Sequence, residues 1–173
     1  MEIIDNFLSK EDFNKVQELL MGPDIGWHYN KFVAYGENKD TGPEEYNFQF
    51  THAFYMPSDD GNYQSISSQY FPVLFPILEK LPIKALWRIK SNLIPRQDQH
   101  VVHGYHTDTP SEDFKSTTSI FYVNTNNGHT VFADGTKVES VANRLVSFDS
   151  QKSHSGSTCT DSKSRVVINI NYF

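Results

Sequence analysis

Val102-His103-Gly104-Tyr105-His106-Thr107-Asp108 is the stretch on which the reading of this chain turns. It follows an extended run, and in a β-strand the side chains of residues i and i+2 leave the same face, so His106 and Asp108 can grip one ion together. Two imidazoles and one carboxylate on one side of a metal, with the opposite positions open, form the donor set of a non-haem ferrous centre. The second imidazole must then come from elsewhere. His154, in Phe148-Asp149-Ser150-Gln151-Lys152-Ser153-His154-Ser155-Gly156, stands 46 residues after Asp108. Arg165 follows 11 residues later and opens the run Arg165-Val166-Val167-Ile168-Asn169-Ile170-Asn171. His103 competes with His106 as a ligand, but a spacing of three on an extended segment points the two to opposite faces. On its own, His106-x-Asp108 reads equally well as a surface pair in a turn.

Taken in order, these residues resemble the 2-oxoglutarate- and Fe(II)-dependent dioxygenases, and within them the prolyl 4-hydroxylase-like branch. The resemblance rests on His106-x-Asp108, the distal His154 and a basic residue about ten positions later. Less specific matches are Ile120-Phe121-Tyr122-Val123-Asn124 after the pair and Gly128-His129-Thr130-Val131-Phe132 before the distal histidine. Together they span roughly residues 85 to 173.

Composition sets the outer limits. A chain of 173 residues fits one domain, read here as a single dioxygenase domain over residues 1–173, with no room for a second independent core. With 13 Phe, 9 Tyr, 2 Trp and only 21% charged residues, the chain has enough apolar bulk to fold rather than stay disordered. A net charge of −6 argues against a phosphate-backbone partner. Cys159 is the sole cysteine, so neither an intramolecular disulfide nor an all-thiolate metal site is available. The residues Met1-Glu2-Ile3-Ile4-Asp5-Asn6-Phe7 lack a basic start and a long apolar run, and the expectation is a cytoplasmic protein without a membrane partner.

Along the chain, Ile3 to Leu8 reads as a short strand, and Ser9 with Asp12 caps a helix from Lys10 to Met21 that ends at Gly22-Pro23. Leu8 and Phe13 stand where a hydrophobic staple would form. Aromatic strands are expected over Trp27–Tyr35 and Phe48–Tyr55. A short or kinked helix is expected within Ser67–Leu81, because Pro72 and Pro76 do not both fit inside one regular helix. Lys84–Ile94 is a strand leading to Pro95. Thr117–Asn124, a turn at Asn126-Asn127-Gly128, a hairpin around Asp134-Gly135, Lys137–Val141, Arg144–Phe148 and Arg165–Phe173 continue as short strands. The fold class is therefore mainly β (α+β): a barrel or jelly roll. By the resemblance it is a cupin-like double-stranded β-helix buttressed by helices from the N-terminal half. Loops 36–47, 56–66 and 109–116 are expected to hold the substrate determinants.

The resemblance implies that His106, Asp108 and His154 bind Fe(II), leaving positions for the 2-oxoglutarate cosubstrate and O2. The implied reaction decarboxylates 2-oxoglutarate to succinate and CO2 and hydroxylates a C–H bond, a prolyl residue in a peptide being one substrate. Arg165 would meet the distal carboxylate, since its planar fork matches two carboxylate oxygens; many prolyl hydroxylases have Lys there. Alternation then turns Val167 and a polar Asn169 inward. Tyr122 would add a hydroxyl to the same carboxylate, plain core packing being its alternative, with Ile120 as an apolar wall, and Asn92 would approach the other end of the cosubstrate. His28, His52, His100 and His129 read as ordinary histidines, and Cys159 has no base beside it. Two alternatives stand beside the hydroxylase. One is a nucleic-acid demethylase of the same superfamily, disfavoured by the acidic balance and by Asn171, where those enzymes show a second arginine. The other is a cupin-like barrel that binds metal or ligand without redox turnover, which has no need of a buried Arg165.

Overall fold

The computed structural model describes residues 1–33, 44–58, 64–108 and 115–173. Its architecture is a jelly roll of two sheets with few helices. The strands are β1 (Glu2–Ile4), β2 (His28–Asn30), β3 (Gln49–Pro57), β4 (Gln64–Ile66), β5 (Leu86–Pro95), β6 (Thr117–Tyr122), β7 (His129–Phe132), β8 (Lys137–Glu139), β9 (Arg144–Asp149), β10 (His154–Gly156) and β11 (Ser164–Tyr172). The larger sheet runs β1-β9-β6-β11-β5-β3-β2, with β4 on β3, and the smaller runs β10-β7-β8. Isolated bridges Val102–Ser157 and His106–His154 lay residues 102–106 along β10, extending the small sheet without forming a regular strand.

The pleat of β11 sorts its residues between two environments. Every residue of this strand is buried between β6 and β5. Val166, Ile168, Ile170 and Tyr172 join the core cluster that also takes Val16 and Leu20 from helix α1 (Lys10–Met21). Arg165, Val167 and Asn169 face the opposite way, where Val167 meets Ile120, Tyr122, Phe132, Val146 and Phe148 between the two sheets. One strand thus carries both the helix-backed core and the floor of the barrel cavity.

The local signals hold in most places. Ser9 Oγ accepts from Asp12 N at 3.1 Å, so α1 begins as the cap predicts. The helix ends at Gly22, where a Cβ would stand 2.4 Å from Glu18 O. Between Ser67 and Leu81 the two prolines do not kink one helix. Each sits in the first turn of its own short piece, a 3-10 turn at Phe71–Leu74 and helix α2 (Phe75–Leu78), where a missing N–H costs no bond. The turn at 126–128 hands the chain from the large sheet to the small one, while the turn around Gly135 (φ +83°) closes the β7–β8 hairpin. Only His28–Asn30 of the strand expected from Trp27 pairs within the described residues. The expected substrate loops lie largely outside those residues, which omit 34–43, 59–63 and 109–114. Among the described residues no helix is long and apolar enough to cross a membrane.

Asn143 ties the N-terminal segment to the barrel. At φ +62° its Oδ1 accepts from Leu8 N (2.9 Å) and its Nδ2 donates to Leu8 O (3.0 Å). Asn143→Ala removes two buried side-chain hydrogen bonds and places a Cβ residue less suited to left-handed backbone, for an expected loss of about 2–4 kcal/mol. Asn143→Gly keeps the backbone and should lose less. Urea melts check the order, and equal losses for the two variants would contradict it.

Candidate metal centre

His106, Asp108 and His154 come together: one donor atom from each lies within 4.8 Å of the others. His154 Nε2 stands 3.6 Å from Asp108 Oδ2, and His106 Nε2 stands 4.0 Å from Oδ1. The paired backbone of His106 and His154, N–H to O at 2.9 and 3.0 Å both ways, sets the two imidazoles side by side with ring centroids 4.6 Å apart. His154 Nδ1 lies 2.9 Å from Lys152 O. A donor N–H there leaves Nε2 with its lone pair facing Asp108, the tautomer a metal requires. Burial holds His106 below the ordinary histidine range, and His154 beside it adds to this, so the ring stays neutral near pH 7.

Asp108 is held from behind. Burial opposes its charge, but His154, Arg88, Thr118 and His106 outweigh that and keep its carboxyl below the usual range. Arg88 Nη2 donates to Oδ1 at 3.0 Å, Thr118 Oγ1 to Oδ2 at 2.7 Å, and Asn171 bridges both by accepting from Arg88 Nε (3.0 Å) and donating to Thr118 Oγ1 (2.9 Å). Asn171 is thus fully buried in the support of the carboxylate. The inward alternation that placed Ile120 and Tyr122 also points to Thr118, and the one that placed Asn92 also points to Arg88 and Lys90.

One cavity joins His106 and His154 to Arg165, with Asn92, Ile94, Ile120, Thr130, Gly156, Val167 and Asn169 on its walls. Arg165 is 3% exposed, and among the described residues no carboxylate pairs with it. Its Nε donates to Ser140 Oγ (2.9 Å) and its Nη2 to Thr130 Oγ1 (3.0 Å). Gly128 and Gly156 make way for it, since a Cβ at 128 would meet Arg165 Cδ at 2.8 Å and one at 156 would meet Nη1 at 3.3 Å. Asn92 Oδ1 and Asn169 Oδ1 are buried without partners among the described residues. Either amide can be turned to present N–H groups to an anion in the cavity.

Tyr122 takes the core-packing alternative and not a place on the cavity wall. Tyr122 is buried under Arg165, its ring 5.7 Å from the guanidinium carbon, and its hydroxyl donates to Thr130 Oγ1 at 2.8 Å. Thr130 stands between it and the cavity and supplies the hydroxyl on the wall. Nothing in the sequence marked Thr130 or Ser140, short hydroxyl residues among many. His103 lies outside the His-Asp-His cluster, as its spacing required, but is buried with both ring nitrogens unpartnered among the described residues. Burial and then Arg165 push its pKa down to about 4.

This has a consequence for acid stability. Between pH 6.5 and 4 the unfolded chain protonates His103 and the native chain does not, so stability falls as pH drops through this window, by about 3 kcal/mol in all. His103→Gln should flatten that part of the urea-denaturation profile. An unchanged slope would show that His103 is not kept neutral by the fold.

No family model matches the sequence, and no curated protein matches it by sequence. Its fold is that of the 2-oxoglutarate-Fe(II) oxygenases, as comparison with solved structures shows. Prolyl hydroxylases are prominent among them. A prolyl hydroxylase from Trichoplax adhaerens, solved with a peptide of the hypoxia inducible factor oxygen degradation domain, superposes with TM-score 0.65 at 15% identity, covering 99% of this chain and 82% of that one. An oxidoreductase of the 2OG-Fe(II) oxygenase family from Burkholderia pseudomallei gives 0.65 at 8% identity over 98% and 84%. The viral collagen prolyl hydroxylase of Paramecium Bursaria Chlorella virus-1 gives 0.57 at 13% identity over 98% and 87%.

Proposed function

We propose that residues 1–173 form one 2-oxoglutarate- and Fe(II)-dependent dioxygenase domain that hydroxylates a C–H bond of a peptide, protein or small-molecule substrate. The observation that carries this reading is Arg165: a buried guanidinium without a carboxylate partner among the described residues, in one cavity with a His-Asp-His donor set. An unpaired buried charge costs several kcal/mol. A ligand that brings a carboxylate to Arg165 and oxygen donors to the metal side removes that cost, and a short 2-oxo diacid has both ends.

His106, Asp108 and His154 would hold Fe(II), which when bound supplies the oxidising chemistry with O2 and 2-oxoglutarate. The chain's own residues position and screen. Arg165, steadied by Ser140 and Thr130, receives the distal carboxylate; Asn92 and Asn169 offer amides along the cosubstrate; Ile120 and Val167 keep water from its middle. Arg88, Thr118 and Asn171 fix the Asp108 carboxylate so that both its oxygens keep their orientation. Asn171 serves that support from full burial, which argues against the nucleic-acid reading as the net charge does.

The test is succinate formation from 2-oxoglutarate with Fe(II) and O2, screened over proline-containing peptides and free amino acids. Turnover that needs His106 and Asp108 is expected. Turnover retained in His106→Ala or Asp108→Ala would remove the assignment of these ligands.

A further inference from the structure

A second cavity adjoins the first beside His106 and Asp108. Val33, Gln49, Lys90 and His106 line both, and the second adds Asn30, Arg88, Thr107 and Asp108. Two side chains on the wall shared by both cavities, Lys90 and Gln49, have no part in the reaction assigned above.

The first is Lys90. It stands on β5 between Arg88 and Asn92, on the inward face, and no hydrogen bond or ion pair joins its ammonium to any described residue. Asp108 is the carboxylate nearest to hand, and it is already paired with Arg88 and Thr118. Burial, followed by Arg88, lowers the Lys90 pKa to about 8, which still leaves the ammonium mostly charged at pH 7. Among the described residues the walls of the two cavities therefore carry three cations, Arg88, Lys90 and Arg165, against one carboxylate, Asp108. A divalent ion adds two positive charges and a diacid removes two, so a net positive charge remains after both have bound. Of the three cations, Lys90 is the one to which neither Asp108 nor the diacid is assigned.

The second is Gln49. It is 1% exposed, and its Nε2 donates to both Phe32 O (3.2 Å) and Val33 O (3.0 Å), which fixes which end of the amide faces the cavity. That end is Oε1, buried and without a partner among the described residues. It is an acceptor and needs a donor, which neither carboxylate of 2-oxoglutarate can supply near neutral pH.

We infer that this second cavity is the substrate subsite and selects an amino- or imino-acid unit with a free carboxylate, Lys90 pairing with the carboxylate and Gln49 Oε1 accepting from the N–H. The inference rests on the dioxygenase reading above and narrows it. A prolyl residue within a peptide has neither a charge nor an N–H, so it would leave both groups unanswered. A single amino acid and the C-terminal residue of a peptide both present this chemistry, a carboxylate beside an N–H.

The experiment uses the full chain loaded with Zn(II) and 2-oxoglutarate, with saturation-transfer NMR as the binding readout. The probes are the twenty free L-amino acids and their α-carboxamides, with short peptides ending in a free acid or an amide as a second arm. Succinate release with Fe(II) is followed in parallel. At least one acid should bind at least tenfold more tightly than its amide, and the acid-to-amide ratio should fall to near one in Lys90→Met and recover partly in Lys90→Arg. Gln49→Glu, which keeps an acceptor but adds a negative charge, should weaken the acid. Acids and amides that bind alike in the wild type overturn the inference, as does a Lys90→Met protein that keeps the acid preference. If Lys90→Met does not fold, the wild-type acid-to-amide comparison decides alone. A wild-type chain that fails to bind 2-oxoglutarate at all defeats the dioxygenase reading instead, so the two failures are separable.

Discussion

Arg165→Ala should weaken 2-oxoglutarate binding to the metal-loaded protein by about 10- to 150-fold, the equivalent of losing a charge-assisted pair of about 1.5–3 kcal/mol. The geometry makes the upper part of that range the expected one. The guanidinium is 3% exposed, is aimed by Ser140 and Thr130, and lies over Tyr122, so the diacid meets a charge that is already oriented. Preorganisation of this kind means little ordering remains to be done on binding. Arg165→Lys restores a charge but not the planar fork, and should recover only part of the affinity. Because burial disfavours the charged guanidinium in the free protein, Arg165→Met should also leave the chain at least as stable as the wild type while binding little 2-oxoglutarate. Calorimetric titration and urea melts measure both quantities. Loss of stability with unchanged affinity would make Arg165 a structural residue and nothing more.

Asp108→Asn should lower the affinity for a divalent metal by more than about 100-fold, since outer-shell partners alone are worth about 10- to 100-fold and Asp108 would itself be a donor. The change is nearly isosteric, and Thr118 can still donate to the amide oxygen, so shape is kept while charge is lost. It also leaves Arg88 without its counter-charge beside Lys90. The metal-free variant should therefore melt at a lower temperature than the wild type, and Arg88→Met added to Asp108→Asn should return part of the difference without returning metal affinity. Metal uptake measured at equilibrium separates the two effects. Equal uptake by Asp108→Asn and wild type would place the donor elsewhere.

The grouping of His106, Asp108 and His154 was legible from the i, i+2 pair and, for His154, only from the order of residues that carries the resemblance; the bridge between His106 and His154 supplies the closure that the sequence does not show. Arg165 and Asn169 were legible through alternation on β11, and Asn92 through alternation on β5. The same alternation reached Lys90 and Arg88, but long charged side chains in a strand ordinarily mark its solvent face, and here they mark an interior one. Tyr122 was placed on the correct face of β6. What the sequence lacked was the partner on the facing sheet, because the β7 register that puts Thr130 in front of it depends on pairing with β8 and β10. The two prolines after Ser67 showed that a helix could not run through, but not that each would open a piece of its own.

The central claim is that a 2-oxo diacid spans from a His106-Asp108-His154 metal to Arg165. Anaerobic addition of 2-oxoglutarate to the Fe(II)-loaded protein tests it most directly, by the weak visible charge-transfer absorption of an α-keto acid chelated to ferrous iron. The account predicts that this absorption appears with one equivalent of each component, is absent in His154→Ala, and requires much higher 2-oxoglutarate in Arg165→Ala. Intact wild-type protein that takes up both components and shows no such absorption would contradict it.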